Sequence, residues 1–193
     1  WVQGEYKNIW IEQFKKMSLL AYENADMVTC LNDHARKLQI ELGCPAEKIR
    51  VTPNGINVEA LAGLPGKTEE EQQFINAGAV LRVTPIKDVK TMIQAFAFAK
   101  KRVKNMKLWI MGPADEDEKY AKECYDLVES LGVKDVEFTG RVNVRDYLGK
   151  MDFTLLTSIS EGQPLTILES YAAHKPVISY CTDSVTLQSV TSD

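Results

Sequence analysis

The sequence predicts an α/β fold, a Rossmann-like parallel sheet with helices on both faces, and three observations carry that expectation. From about residue 73 onward, short apolar runs alternate strictly with segments of helical periodicity. The runs are apolar along most of their length, as strands covered on both faces are. Several of them end in Gly, Pro or charged loops, at the strand ends where ligands of such sheets bind.

The elements follow in order. Trp10, Phe14, Met17 and Ala21 recur at spacings of four, three and four, which predicts an amphipathic helix over residues 5–24. A short strand over 27–31 precedes a helix capped by Asn32 or Asp33 and ended at Gly43. Residues 49–52 form a second short strand that runs into the turn Pro53-Asn54-Gly55. The next stretch, to about Gln73, is rich in Gly, Pro, Glu and Lys without periodicity and reads as a connection. Strands are then expected at 74–80, 107–111, 136–139, 153–157 and 176–180. Between them fall a helix opened by Asp88, a helix around Tyr120 and Cys124 that stops at Gly132, a short helix near 144–148 and a helix from Pro164.

Bulk composition narrows the function. A chain of 193 residues with 45% apolar content can bury a real core in one large or two small domains. The net charge of −4, with no long run of Lys or Arg, argues against charge-driven binding to nucleic acid or a membrane surface, so a small-molecule partner is expected. Cys30, Cys44, Cys124 and Cys181 lie far apart, as reduced thiols of a cytoplasmic protein do. No apolar run reaches the roughly 20 residues needed to span a bilayer, so any membrane recruitment is expected through partners. The chain opens on Trp1 and stops at Asp193 just after a strand-like run, which reads as a piece of something longer.

The candidate site residues sit at strand ends. Arg82 and Lys87 stand five apart in one loop before a helix, an arrangement that suits a diphosphate because Arg forks two oxygens and the helix start adds partial positive charge. The same spacing also fits an ordinary solvated loop. After the strand at 153–157 comes SISEGQPLTILES, with Glu161 in a loop and Glu169 about one and a half turns inside a helix whose first position suits Pro164. The two carboxylates therefore do not share a helix face. Gly162 leaves the backbone N–H groups of Gly162, Gln163 and Leu165 open to an anion, Glu169 suits the hydroxyls of a ribose and Glu161 those of a sugar. A plain helix start with two surface acids is the competing reading. Gly112, and Gly140 with Arg141 and Val142, end two further strands where a flat base could pack, although tight turns explain them equally well. No G-x-G-x-x-G follows a strand, which weighs against a nicotinamide or flavin site, and no metal site is expected from His34 and His174.

Taken together, RVTPIKD, SEGQPLTILE and the PNGIN turn at 53–57 resemble the retaining glycosyltransferases of family 4. The wording RVTPIKDVKTMIQAF, WIMGPADED and SISEGQPL is similar to the PelF-like exopolysaccharide enzymes of that family. The resemblance implies a GT-B arrangement of two Rossmann-like domains. On this reading residues 1–57 are the end of the acceptor-side domain with the interdomain turn, 58–72 a linker, and 73–193 an incomplete nucleotide-sugar-binding domain. It further implies transfer of a hexose, from UDP-glucose, to a polysaccharide or other hydroxyl, with retention and without a metal ion or cofactor. Arg82 and Lys87 would neutralise the leaving diphosphate, Glu161 would position the sugar and Glu169 the ribose, and the backbone of 162–165 would hold phosphate or sugar oxygens. The strand-end segments at Gly112 and 140–142 would flank the base. The partners implied are the nucleotide-sugar donor, a carbohydrate acceptor and a membrane-bound polysaccharide export complex. A non-catalytic nucleotide-sugar-binding subunit and a GT-B epimerase are the alternatives. The sequence departs from the family pattern at Leu81 and His174, where many relatives carry Gly, and in the loop 181–188. As a piece of a cleft, the chain by itself is expected to be inactive.

Overall fold

A computed structural model describes residues 9–180 of the chain. Two parallel sheets organise it. The smaller pairs β1 (Val28–Cys30) with β2 (Ile49–Val51), flanked by α1 (Ile9–Asn24) and α2 (Asp33–Glu41). The larger has five strands, β3 (Ile75–Val80), β4 (Met106–Met111), β5 (Val136–Gly140), β6 (Phe153–Leu156) and β7 (Val177–Ser179), in the order β5-β4-β3-β6-β7. Helices α3 (Val89–Lys100), α4 (Glu118–Ser130), α5 (Arg145–Leu148) and α6 (Leu165–Ala172) connect them. Every expected strand and helix among the described residues is present, with ends that coincide or shift by a few residues. The loop at 181–188 and the start of the first helix lie outside the described residues.

Alternation along β4 shows how the sheet is covered. Leu108 and Ile110 are fully buried beneath Met92, Ile93 and Phe96 of α3 and Ala121 and Cys124 of α4. The intervening Trp109 points the other way, toward Tyr147 of α5, with ring centroids 5.8 Å apart. On that second face Leu148 and Ala173 close a separate cluster with Leu61, Leu64 and Ile56. Cys30, Cys44 and Cys124 are free and buried, and burial pushes the Cys124 thiol up to about 11.

The segment 58–72 is bound closely to the larger sheet, a feature that its composition alone does not reveal. Lys67 pairs with Asp152, Lys150 Nζ lies 2.9 Å from Glu71, and a Cβ on Gly149 would come within 2.3 Å of the Pro65 carbonyl oxygen. Asp152 also accepts the Asn76 N–H at 2.7 Å, so one carboxylate ties this segment to β3.

Two helix ends show local chemistry at work. Asn32 caps α2 by accepting the Ala35 N–H at 2.8 Å. Beyond α6 the His174 N–H donates to Tyr171 O (2.9 Å) and the Lys175 N–H to Ser170 O (2.8 Å), a Schellman closure with His174 at φ +56°. His174 therefore fills the left-handed position at which Gly is favoured. One expectation differs: the apolar stripe of α1 is not packed away. Phe14 is 55% and Met17 64% exposed, because the face that α1 turns to the cluster of Cys30, Cys44 and Ile49 is the one that carries Tyr22.

Candidate active site

The strand order reverses beside β3. From β3 the chain crosses through α3 to β4 on one side, whereas β6 leads through α6 to β7 on the other. Loops that leave β3 and β6 therefore diverge, and a crevice opens at their carboxyl ends. The basic loop 81–88 follows β3, and the loop 157–164 follows β6.

The two loops are joined across that crevice. Ile159 N–H donates to Ile86 O at 2.9 Å, and Thr157 Oγ1 donates to the carbonyls of Lys87 and Asp88 at 3.0 Å each. Lys87 Nζ then meets Glu161 Oε1 at 2.5 Å, with both side chains more than four-fifths buried. Lys87 is aimed by its local sequence. Pro85 opens a single 3-10 turn over Pro85–Lys87, and Asp88 at φ +44° caps α3 by accepting the Thr91 N–H at 3.4 Å.

Beside this pair lies a cavity of about 420 Å³ lined by Arg82, Lys87, Gly112, Pro113, Arg141, Val142 and Val144, with Val80, Leu81 and Met111 behind them. Each of its three cations has a carboxylate partner. Arg82 Nη1 is 2.7 Å from Glu116 Oε2, and Arg141 Nη2 is 3.5 Å from Asp115 Oδ1. A larger hollow of about 530 Å³, lined by Gln94, Phe98, Lys101 and Leu131, lies at the amino ends of the strands, away from the crevice. Chemistry and topology both favour the smaller one.

Residues 71–190 match the family described as Glycosyl transferases group 1. The chain belongs to this family. Residues 1–47 match a domain of unknown function (DUF3492). Among similar proteins, the alpha-monoglucosyldiacylglycerol synthase of Streptococcus pneumoniae is 28% identical over 174 residues, covering 81% of this chain and 38% of that protein. The amylovoran biosynthesis glycosyltransferase AmsK of Erwinia amylovora is 30% identical over 146 residues, 72% of this chain and 35% of the other. Anabaena HepE, solved with UDP and glucose, superposes with a TM-score of 0.76 at 20% identity over 87% of this chain and 48% of its own. The chain thus spans less than half the length of each of these relatives, and the last likeness concerns the fold.

Within this member of the group 1 family the remaining candidates fall into two sets. Arg82, Lys87, Gly112, Arg141 and Val142 share the cavity, whereas Glu161, Gly162, Gln163, Pro164, Leu165 and Glu169 form its neighbour across the crevice, joined to it by the Lys87–Glu161 pair. Pro164 stands at the N-cap of α6 at ψ 112° rather than at its first helical position, and Leu165 begins the helix. Glu169 is half-buried. Thr154 Oγ1 bonds Ser170 Oγ at 2.9 Å, and Ser170 Oγ bonds Thr166 O at 2.6 Å, a short relay that fixes α6 on β6. Gly140 at φ +68° has open space where a side chain would stand.

Gly112 is bare for a structural reason. A Cβ there would lie 1.9 Å from the Leu81 carbonyl oxygen. Gln163 is also occupied: its Oε1 accepts the Asn54 N–H at 2.6 Å, while Asn54 Nδ2 donates to Gln163 O at 3.2 Å. Asn32 Nδ2 donates to Gly162 O at 3.0 Å, so the Asn that caps α2 also holds this loop. These grips, and the acid partners Asp115 and Glu116, are site features that sequence reasoning missed; the PNG turn and the Asp-Glu-Asp-Glu run at 115–118 were the signals available. Among the described residues no group of three or more His, Cys, Asp or Glu could hold a metal ion, and no helix is long and apolar enough to cross a membrane.

Proposed function

We propose that the protein is a retaining glycosyltransferase that moves a hexose from a nucleoside-diphosphate sugar, UDP-glucose in the simplest case, to a hydroxyl of a polysaccharide acceptor. The observation that carries this reading is Lys87, held across the switch-point crevice from the loop of Glu161 and Gly162, with Arg82 and Arg141 around one cavity. Three cations converging beside a helix start suit a diphosphate better than any other common ligand.

When the bond from the anomeric carbon to the diphosphate breaks, negative charge grows on the leaving group. Lys87 and Arg82 offset it, a contribution realised mainly in the transition state and needing no metal ion. The incoming diphosphate takes Lys87, which frees Glu161 for hydroxyls of the donor sugar. Glu169, farther along α6, receives the ribose hydroxyls, and the backbone N–H groups of Gly162 and Leu165 face oxygens between them. Arg141 and Val142 flank the base. Residues 1–57 and 73–193 belong in this reading to the two facing domains of a GT-B enzyme, an arrangement that the partial coverage of the relatives supports. The name of the Erwinia relative supports an exopolysaccharide acceptor.

Release of UDP from UDP-glucose by the whole protein, with and without acceptor, tests the proposal. Lys87→Ala is expected to lower turnover by at least about a hundredfold, the scale for removing one preorganised charge stabiliser. Wild-type turnover that survives this change intact would sink the assignment, and UDP-glucose binding without turnover would favour a non-catalytic binding subunit.

A further inference from the structure

The cations of the cavity are not free to greet an anion. Four acids follow one another at 115–118, and the structure divides their work. Asp117 caps α4 by accepting the Tyr120 N–H at 2.9 Å, and Glu118 stands in the first turn of that helix, where an acid complements the helix dipole. Asp115 and Glu116 do neither. They reach instead for Arg141 and Arg82, which stand in the loops after two different strands and line the same cavity.

Their position is fixed by backbone. Leu81 N–H donates to Met111 O at 3.0 Å and Val83 N–H to Pro113 O at 2.8 Å, which fastens the start of the acidic segment beside Arg82. Gly112 N–H donates to Gly140 O at 2.9 Å, which fastens it beside Arg141. The acids therefore stay next to the arginines whether or not a ligand is present, while the pairs themselves, with every side chain at least 38% exposed, reorganise at little cost.

We propose that Asp115 and Glu116 are affinity-setting residues: internal carboxylates that compete with phosphate oxygens for Arg82 and Arg141 and loosen the hold on the product nucleoside diphosphate. This rests on the donor-site reading above. A nucleoside diphosphate ends in a phosphate monoester and carries more negative charge than its sugar ester, so nearby carboxylates weaken the product more than the donor. The acids thereby narrow the gap between the two affinities and favour release after transfer.

Calorimetric titration of the whole protein with UDP and with UDP-glucose tests this at low and at moderate salt. Glu116→Gln is expected to tighten UDP by about two- to fivefold, the scale of an exposed ion pair, and UDP-glucose by less, with the gain shrinking as salt rises. Asp115→Asn acts in the same direction, while Glu118→Gln, an equal change of charge at the first residue of α4 with neither arginine as partner, changes UDP affinity less. Unchanged or weaker UDP binding in Glu116→Gln would overturn the inference and make Glu116 a positioning residue for Arg82. Equal tightening by Glu118→Gln would overturn it in favour of net charge alone. Absence of UDP binding in wild type and variants alike would refute the donor-site reading itself, and the inference with it.

Discussion

Replacing Gly112 by alanine is expected to cost about 3–5 kcal/mol of stability, a figure that combines one clash, one strained φ and three weakened hydrogen bonds. The added Cβ would lie 1.9 Å from the Leu81 carbonyl oxygen and 2.8 Å from its carbon, and no side-chain rotation relieves a clash between Cβ and backbone. Even close C–H···O contacts keep C···O near 3.3 Å, so one segment must move by more than about 1 Å. At φ +147° an L-residue also carries strain of about 1–3 kcal/mol. The movement loosens Leu81 N–H to Met111 O, Val83 N–H to Pro113 O and Gly112 N–H to Gly140 O, each worth about 1 kcal/mol net. Urea unfolding monitored by tryptophan fluorescence measures the loss, and the same displacement, passed to Arg82, is expected to weaken UDP binding. A loss below about 1 kcal/mol would refute the argument, because it would mean that the junction of the 81–83 and 111–113 segments is soft and does not fix the basic loop.

His174→Gly is expected to raise stability by about 0.5–1 kcal/mol, since it removes the cost of holding a side chain at φ +56° and keeps both Schellman hydrogen bonds; a lower urea midpoint would contradict this. Glu71 is held below its ordinary value of 4.5, chiefly by the Thr68 backbone N–H on its carboxylate and next by Lys150. A lowered carboxyl pKa contributes stability that is present above the unfolded-state value and lost as pH falls through the folded one. Glu71→Gln is therefore expected to lower stability at neutral pH by less than about 1 kcal/mol and to flatten the decline between about pH 5 and pH 3. Identical acid limbs in both proteins would refute the link.

Periodicity made the fold legible because the helices that cover the larger sheet must present apolar faces at fixed spacing. Val89, Met92, Ile93 and Phe96 lie on one face of α3 and are all buried. Strand order was not legible, since nothing in the strands themselves says that β6 lies beside β3 rather than beside β5. The stripe on α1 had the right spacing, yet Phe14 and Met17 are exposed. Amphipathicity reports that a face is made to be covered; it does not identify the cover. The connection at 58–72 shows another limit of periodicity. Its composition marked a segment without α-helix or strand but not its contacts, in which Gly149 makes room for Pro65 and Lys67 and Lys150 pair across to Asp152 and Glu71.

At the site, spacing located the residues but left their partners undetermined. Arg82 and Lys87 share one loop of the sequence and were expected to act together; in the structure each answers to a different carboxylate, Glu116 after β4 and Glu161 after β6. Such pairings depend on which strands are neighbours, which a motif five or nine residues long does not encode. Gln163 shows the same limit. Its backbone N–H was singled out by its place beside Gly162, whereas nothing in the motif indicated that its side-chain Oε1 and backbone carbonyl hold Asn54, more than a hundred residues away. The consequence is mechanical as well as local. Because Asn32 and Asn54 hold the backbone at Gly162 and Gln163, the loop that bears Glu161 is set by the residues around β1 and β2 as much as by β6. A displacement of that smaller sheet would then be felt first at the Lys87–Glu161 pair, the point at which the proposed donor diphosphate would enter.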